Sequence, residues 1–120
     1  MKLEDQVCNL ELAKKLKKLG VKQDSLFYWG SNTGKNYMII ALSDKPNYPN
    51  VFNHTHSAFT VAELGEILPS GYYSIREGRV WECWLRTGKQ KVEAKTEADA
   101  RAKLVIYILE NNLTKQEDTR

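Results

Sequence analysis

The sequence lacks any long hydrophobic run. No stretch of 18 or more apolar residues occurs in its 120 residues, so we expect no helix that spans a membrane. The first residues, Met1 to Asp5, also lack the apolar segment of a secretory signal. We therefore expect a soluble, cytoplasmic protein with no membrane partner.

Cysteine is scarce as well. The chain has only two, Cys8 and Cys83, and they form neither a Cys-x-x-Cys pair nor a zinc-ligand spacing. In a reducing cytosol we expect both to be free thiols. Cys83 lies in an apolar run, which indicates a position in the core. Nothing in the sequence indicates a cofactor.

Signatures of nucleophilic catalysis and of phosphate binding are missing. No serine lies in a Gly-x-Ser-x-Gly elbow. The segment from Gly30 to Lys35 resembles part of a P-loop, but it is one residue short, has no Ser or Thr after Lys35, and leads into a predicted strand. We interpret it as a hairpin turn and expect a protein that is not an enzyme.

The only histidines are His54 and His56. In an extended segment they face the same side, where Asp44 or Glu63 would complete an acid–base or metal site. A zinc site needs at least a third protein ligand. A minor metal or catalytic site at the His54/His56 loop is therefore kept as a third hypothesis.

Three segments carry the signals of capped helices. Asn9, Thr60 and Thr96 are suited to accept a hydrogen bond from a backbone N–H at a helix start, and Thr60 with Glu63 forms a capping box. Apolar side chains behind the caps repeat at spacings of three and four. The predicted helices run from Asn9 to Leu19, from Thr60 to a stop before Pro69, and from Thr96 to a stop at Asn111 and Asn112.

Strand signals flank two predicted turns. Gly30–Gly34 separates two apolar segments, and Glu77-Gly78 joins two more tightly. The predicted strands are residues 26–29, 37–42, 72–76 and 79–85, followed by a more polar one at 90–94. Residues 43–59 are predicted to form a long irregular loop.

This order of elements predicts a single α+β domain over residues 1–120, with residues 115–120 as a frayed tail. We expect an antiparallel sheet, made of a hairpin and a three-stranded meander. It packs against an N-terminal helix, a short middle helix and a long C-terminal helix.

The net charge of +3 is mild for a nucleic-acid-binding protein. Exposed aromatic side chains on a sheet can nevertheless stack on bases, and basic residues lie near the predicted strands. Acidic residues such as Glu77, Glu82 and Glu93 reduce the net positive charge of this region. The candidate contacts for nucleic acid or another partner are Lys14, Lys18, Lys22, Arg79, Trp84, Arg86, Lys89 and Lys91.

Three segments together resemble a group of small phage and prophage proteins of bacteria that have no assigned function. The segments are residues 10–21 (LELAKKLKKLGV), 58–69 (AFTVAELGEILP) and 97–111 (EADARAKLVIYILEN). Their shared features are caps and apolar stripes, so the resemblance implies a bacterial or phage cytosol but no catalytic residues.

The leading functional hypothesis is a non-enzymatic accessory domain that binds a protein partner or a second copy of itself. It depends on the aromatic sheet and the long loop as contact surfaces. The alternative is nucleic-acid binding through a basic and aromatic sheet surface.

Overall fold

A computed structural model of the protein describes residues 2–41, 53–85 and 90–111. Within them the fold is α+β, as the sequence predicts. A short 3₁₀ helix at Leu3–Asp5 comes first. The other elements are α1 (Leu10–Lys18), β1 (Phe27–Ser31), β2 (Met38–Ala41), β3 (His54–Ser57), α2 (Val61–Ile67), β4 (Tyr72–Glu77), β5 (Val80–Leu85), β6 (Lys91–Ala94) and α3 (Glu97–Glu110).

The predicted boundaries of α1 are confirmed. Asn9 caps the helix by accepting a hydrogen bond from the Leu12 N–H at 2.9 Å. Gly20 follows with φ of +91°, and the Val21 N–H reaches back to the Leu16 carbonyl at 3.1 Å. A left-handed residue of this kind satisfies the last carbonyls of a helix.

The first sheet has the strand order β2-β1-β3, and both pairs are antiparallel. The Gly30–Lys35 segment is indeed part of a hairpin, although β1 extends through Gly30 to Ser31. The Ser31 hydroxyl accepts hydrogen bonds from the Thr33 and Gly34 N–H groups. These bonds stabilise the turn.

One prediction for this sheet is wrong. The segment 43–59 is not irregular throughout, because His54–Ser57 forms strand β3 and pairs with β1, Ser31 opposite His54 and Tyr28 opposite Ser57. Its four polar side chains give no apolar alternation, so the backbone pairing with β1 makes it a strand. Residues 42–52 lie outside the described residues.

The second sheet is the predicted meander, with strand order β4-β5-β6. Gly78, with φ of +64°, makes the tight turn between β4 and β5. The pairing places Tyr73 opposite Trp84 and Arg76 opposite Trp81. The hairpin is therefore part of one three-stranded sheet, and the meander forms the other.

Both remaining helices begin at the predicted caps. Thr60 and Glu63 form the reciprocal capping box of α2, and Thr96 accepts from the Asp99 N–H at the start of α3. The Asp99 carboxylate also accepts a hydrogen bond from the Asn9 N–H at 2.7 Å. This bond joins the N-termini of α1 and α3.

The core surrounds α3, which packs against α1, α2, β5 and β6. Seven of its side chains are buried, from Ala98 to Ile108. Both cysteines are buried free thiols in the same cluster, as predicted for Cys83. The predicted frayed tail, residues 115–120, lies outside the described residues.

Candidate functional site: an exposed apolar sheet face

The β4–β5–β6 sheet has an inner face and an outer face. Trp81, Cys83 and Leu85 point inward and join the core, so the side chains between them point outward. We define the outer face by the residues of this second set: Tyr73, Ile75, Glu77, Val80, Glu82, Trp84, Lys91 and Glu93.

The outer face exposes large apolar side chains. Tyr73 and Ile75 are each 47% exposed and Val80 is 37% exposed. Tyr73 and Ile75 are successive outward residues of β4, and Trp84 lies directly opposite Tyr73 on β5. Side chains so placed on paired strands are neighbours. Tyr73, Ile75 and Trp84 therefore make one apolar patch, and Val80, opposite Glu77, adds an exposed apolar side chain to the same face.

The aromatic part of this patch has a fixed geometry. The rings of Tyr73 and Trp84 are stacked, 5° from parallel, with centroids 6.2 Å apart. The Lys91 Nζ lies 5.3 Å from the centre of the Trp84 ring. The Trp84 Nε1–H also donates to the Glu82 Oε1 at 3.0 Å. The indole is thus held by contacts with Tyr73, Lys91 and Glu82.

Carboxylates dominate the charge of the outer face. Among the residues that the structure describes, Lys91 is the only cation of this face, and it forms ion pairs with Glu93 at 3.0 Å and with Glu82 at 3.6 Å. The hydrogen bond to Glu93, helped by the charge of Glu82, raises the pKa of Lys91 above its ordinary value. Because Glu77 adds a third acid, the face is apolar at its centre and acidic around it.

Strand β4 is also an edge strand. Among the described residues it pairs only with β5. An edge strand offers backbone N–H and C=O groups to an additional strand. The outer face and this edge together can accept an extended polypeptide segment, both by backbone pairing and by side-chain contacts.

The predicted nucleic-acid contacts are distributed over several elements. Lys14 and Lys18 lie on α1, and Lys22 follows that helix. Arg79 lies in the β4–β5 turn, while Trp84 and Lys91 belong to the outer face. Arg86 and Lys89 lie outside the described residues.

The two histidines lie beside α1. The Lys17 Nζ donates to the backbone carbonyl of Thr55 at 2.7 Å. The Lys14 Nζ lies 5.1 Å from the centre of the Tyr37 ring, and that ring lies 5.8 Å from the ring of His56. The structure therefore brings predicted residues from two different hypotheses, Lys14 and His56, into one cluster.

The electrostatics of this cluster favour a neutral imidazole. Burial lowers the pKa of His56, and the charges of Lys17, Lys14 and His54 lower it further. The same positive charges oppose the binding of a metal cation. In the part of the chain that the structure describes, no three His, Cys, Asp or Glu side chains are grouped as metal ligands.

Comparison with known proteins identifies no relative. The chain matches no protein-family model, no curated protein and no solved structure. Among residues 2–41, 53–85 and 90–111, no helix has the length and apolar character needed to cross a membrane.

Of the outer face, the predicted contacts include Trp84 and Lys91 but neither Tyr73 nor Ile75. The signal was present in the predicted Glu77-Gly78 turn, because a tight turn fixes the register of the hairpin. That register places Tyr73 opposite Trp84 and Ile75 opposite Glu82.

Proposed function

We propose that the protein is a binding module that captures an extended, apolar and basic segment of a partner protein on the outer face of the β4–β5–β6 sheet. The observation that carries this proposal is the presence of the exposed side chains of Tyr73, Ile75 and Val80 together with the half-buried Trp84 on one face of the sheet. Exposed patches of this kind on otherwise folded domains mark sites of protein–protein contact.

The shape and chemistry of the outer face favour a partner segment in an extended conformation. Strand addition to a sheet edge uses backbone hydrogen bonds for affinity and alternate side chains for specificity. Strand β4 supplies the edge, and Tyr73 and Ile75 supply alternate apolar contacts on one side of it. The partner's apolar side chains would therefore occupy every second position.

The negative charge of the outer face favours a basic partner. The outer face carries Glu77, Glu82 and Glu93 against one lysine that is already paired. Lysine or arginine side chains of a partner would complement these acids. The same acids repel the phosphates of a nucleic acid, so the outer face favours the protein-binding hypothesis over the nucleic-acid alternative.

The resemblance to phage and prophage proteins also indicates which organisms the partner comes from. We infer that the partner is a bacterial or phage protein and that the binding module acts without catalysing a reaction.

The test uses two short fluorescent peptides of equal length. One alternates Val with Lys, and the other alternates Val with Glu. We expect the Val/Lys peptide to bind at least about tenfold more tightly, measured by fluorescence anisotropy at physiological salt. Equal binding of both peptides, or preferential binding of a single-stranded oligonucleotide, would contradict the proposal.

Matched variants locate the binding. Ile75→Ser removes an apolar side chain from the outer face, whereas Met38→Ser removes a similarly exposed one, 55% exposed, from β2 of the other sheet. We expect Ile75→Ser to weaken binding of the Val/Lys peptide and Met38→Ser to leave it unchanged. An equal loss in both variants would show nonspecific apolar contact instead.

A further inference from the structure

A second candidate site lies at the opposite side of the same sheet. A cavity of about 580 Å³ opens between the 3₁₀ helix at Leu3–Asp5, the starts of α2 and α3, and the inner side of the β4–β5 hairpin. Its volume lies in the range of small-molecule sites, roughly 300–1,000 Å³. The outer face does not contribute to it.

Two cations of this cavity have no acidic partner in the described part of the chain. Arg76 uses its Nε–H to donate to the Gly78 carbonyl at 3.2 Å, and neither Arg76 nor Lys95 is within ion-pair distance of a described carboxylate. The Arg76 bond holds the base of the guanidinium while its terminal nitrogens remain for a ligand.

The acids of the cavity do not cancel these charges. Glu97 accepts a hydrogen bond from Arg101 at 2.9 Å, so its charge is already compensated. Asp5 is the remaining acid of the lining, and it forms no ion pair in the described residues. One unpaired acid against two unpaired cations leaves a net positive charge.

An aromatic wall stands next to the cations. Trp81 lies directly opposite Arg76 in the β4–β5 pairing, and it lines the cavity with the apolar side chains of Val61 and Ala62. A half-buried indole offers its face to a planar ring, and such contacts add to the energy of apolar burial. The side chain that would contact a ligand's ring, Trp81, and the cation that would contact its charge, Arg76, therefore lie side by side.

We propose that this cavity binds a small planar aromatic anion. The ring of the ligand packs against Trp81, and its negative group contacts Arg76 and Lys95. A phosphate and a carboxylate both supply that negative group, because the guanidinium fork matches either one.

The experiment separates the two kinds of anion. Isothermal titration calorimetry of the intact protein compares AMP with adenosine and ribose 5-phosphate, and compares indole-3-acetate with indole. We expect at least one of the two aromatic anions to bind about tenfold or more tightly than the molecule that lacks its ring or its charge. The better of the two identifies the anionic group.

Variants of exposed residues test the assignment without unfolding the protein. Arg76→Gln and Lys95→Gln should each weaken binding of the preferred anion several-fold, whereas Arg79→Gln, in the turn of the same hairpin, should not change it. Absence of binding by both aromatic anions would overturn the proposal. Binding that is insensitive to Arg76→Gln and Lys95→Gln would overturn it as well.

Discussion

The Nη1–H of Arg101 donates a hydrogen bond to the Tyr72 hydroxyl at 3.0 Å, and the guanidinium carbon lies 5.1 Å from the centre of the same ring. Other bonds of this guanidinium reach the Val61 carbonyl, Ser74 Oγ and Glu97. One side chain of α3 thereby connects the first residues of α2 and α3 to β4, the strand that carries the proposed binding edge.

We expect Arg101→Met to destabilise the protein by about 2 kcal/mol, because it leaves a half-buried carboxylate and three polar groups without their donor. Arg101→Lys keeps the charge but loses the planar fork, so its loss should be smaller. Urea denaturation measures both. The exposed Arg79→Met is the control, and an equal change in all three variants would contradict this role for Arg101.

We expect Gly65→Ala to destabilise the protein, although alanine in place of glycine usually stabilises a helix. Gly→Ala normally stabilises a helix interior by roughly 0.5–1 kcal/mol. At Gly65, however, a Cβ would lie 2.5 Å from the Arg101 Nη1 and 2.8 Å from the Tyr72 hydroxyl. Because hydrogen bonds hold the guanidinium in place, Gly65→Ala should destabilise the protein by about 1 kcal/mol.

A double-mutant cycle checks this explanation. In a Tyr72→Phe background the hydroxyl that would lie 2.8 Å from the new Cβ is absent, and the guanidinium loses one of its hydrogen bonds. The penalty of Gly65→Ala should therefore shrink. Thermal denaturation of the four proteins gives the coupling. Additive effects of the two substitutions would show that the close approach at Gly65 is not the cause.

His56 is expected to make stability depend on pH. Burial and the charges of Lys17, Lys14 and His54 hold its pKa in the folded state below the ordinary value of 6.5. The unfolded chain therefore takes up a proton first as the pH falls. The stabilising contribution is complete above pH 6.5 and declines as the pH drops below that value toward the folded-state pKa.

Urea denaturation at a series of pH values from neutral to mildly acidic measures this decline. His56→Gln should flatten the profile in that window, while His54→Gln should retain most of the decline. A wild-type profile that His56→Gln leaves unchanged would assign the pH dependence to other groups.

Both thiols should be unreactive in the folded protein. Cys8 and Cys83 have no exposed surface, and burial raises the pKa of Cys8 to about 12 and that of Cys83 above its ordinary value. The reactive thiolate is then rare at neutral pH. We expect an aromatic disulfide reagent to label neither thiol in buffer and both in denaturant; fast labelling of either in buffer would contradict this.

The sequence predicts the structure correctly where only a few neighbouring residues determine it. Asn9, Thr60 and Thr96 cap their helices as predicted, since a cap involves only residues within one turn. The turn at Gly78 likewise needs only a residue that tolerates positive φ. These features define the α+β fold and the alternation of β5.

Strand β3 and the Arg101 contacts could not be predicted in the same way. His54–Ser57 becomes a strand because β1 provides its hydrogen-bonding partners, and β1 is distant in sequence. Arg101 contacts Val61 and Tyr72, which are far away along the chain. Patterns of neighbouring residues carry no information about such contacts.

The helices, the meander and the alternation of side chains along β5 follow from the sequence alone, because hydrogen bonding within a turn and side-chain alternation are local properties. The choice of the β5 face that enters the core depends on tertiary contacts. So do the shared exposed face of Tyr73, Ile75, Val80 and Trp84 and the shared cavity of Arg76, Trp81 and Lys95. The register of paired strands and the packing of α3 against the inner face set those positions, and both depend on contacts between distant parts of the chain.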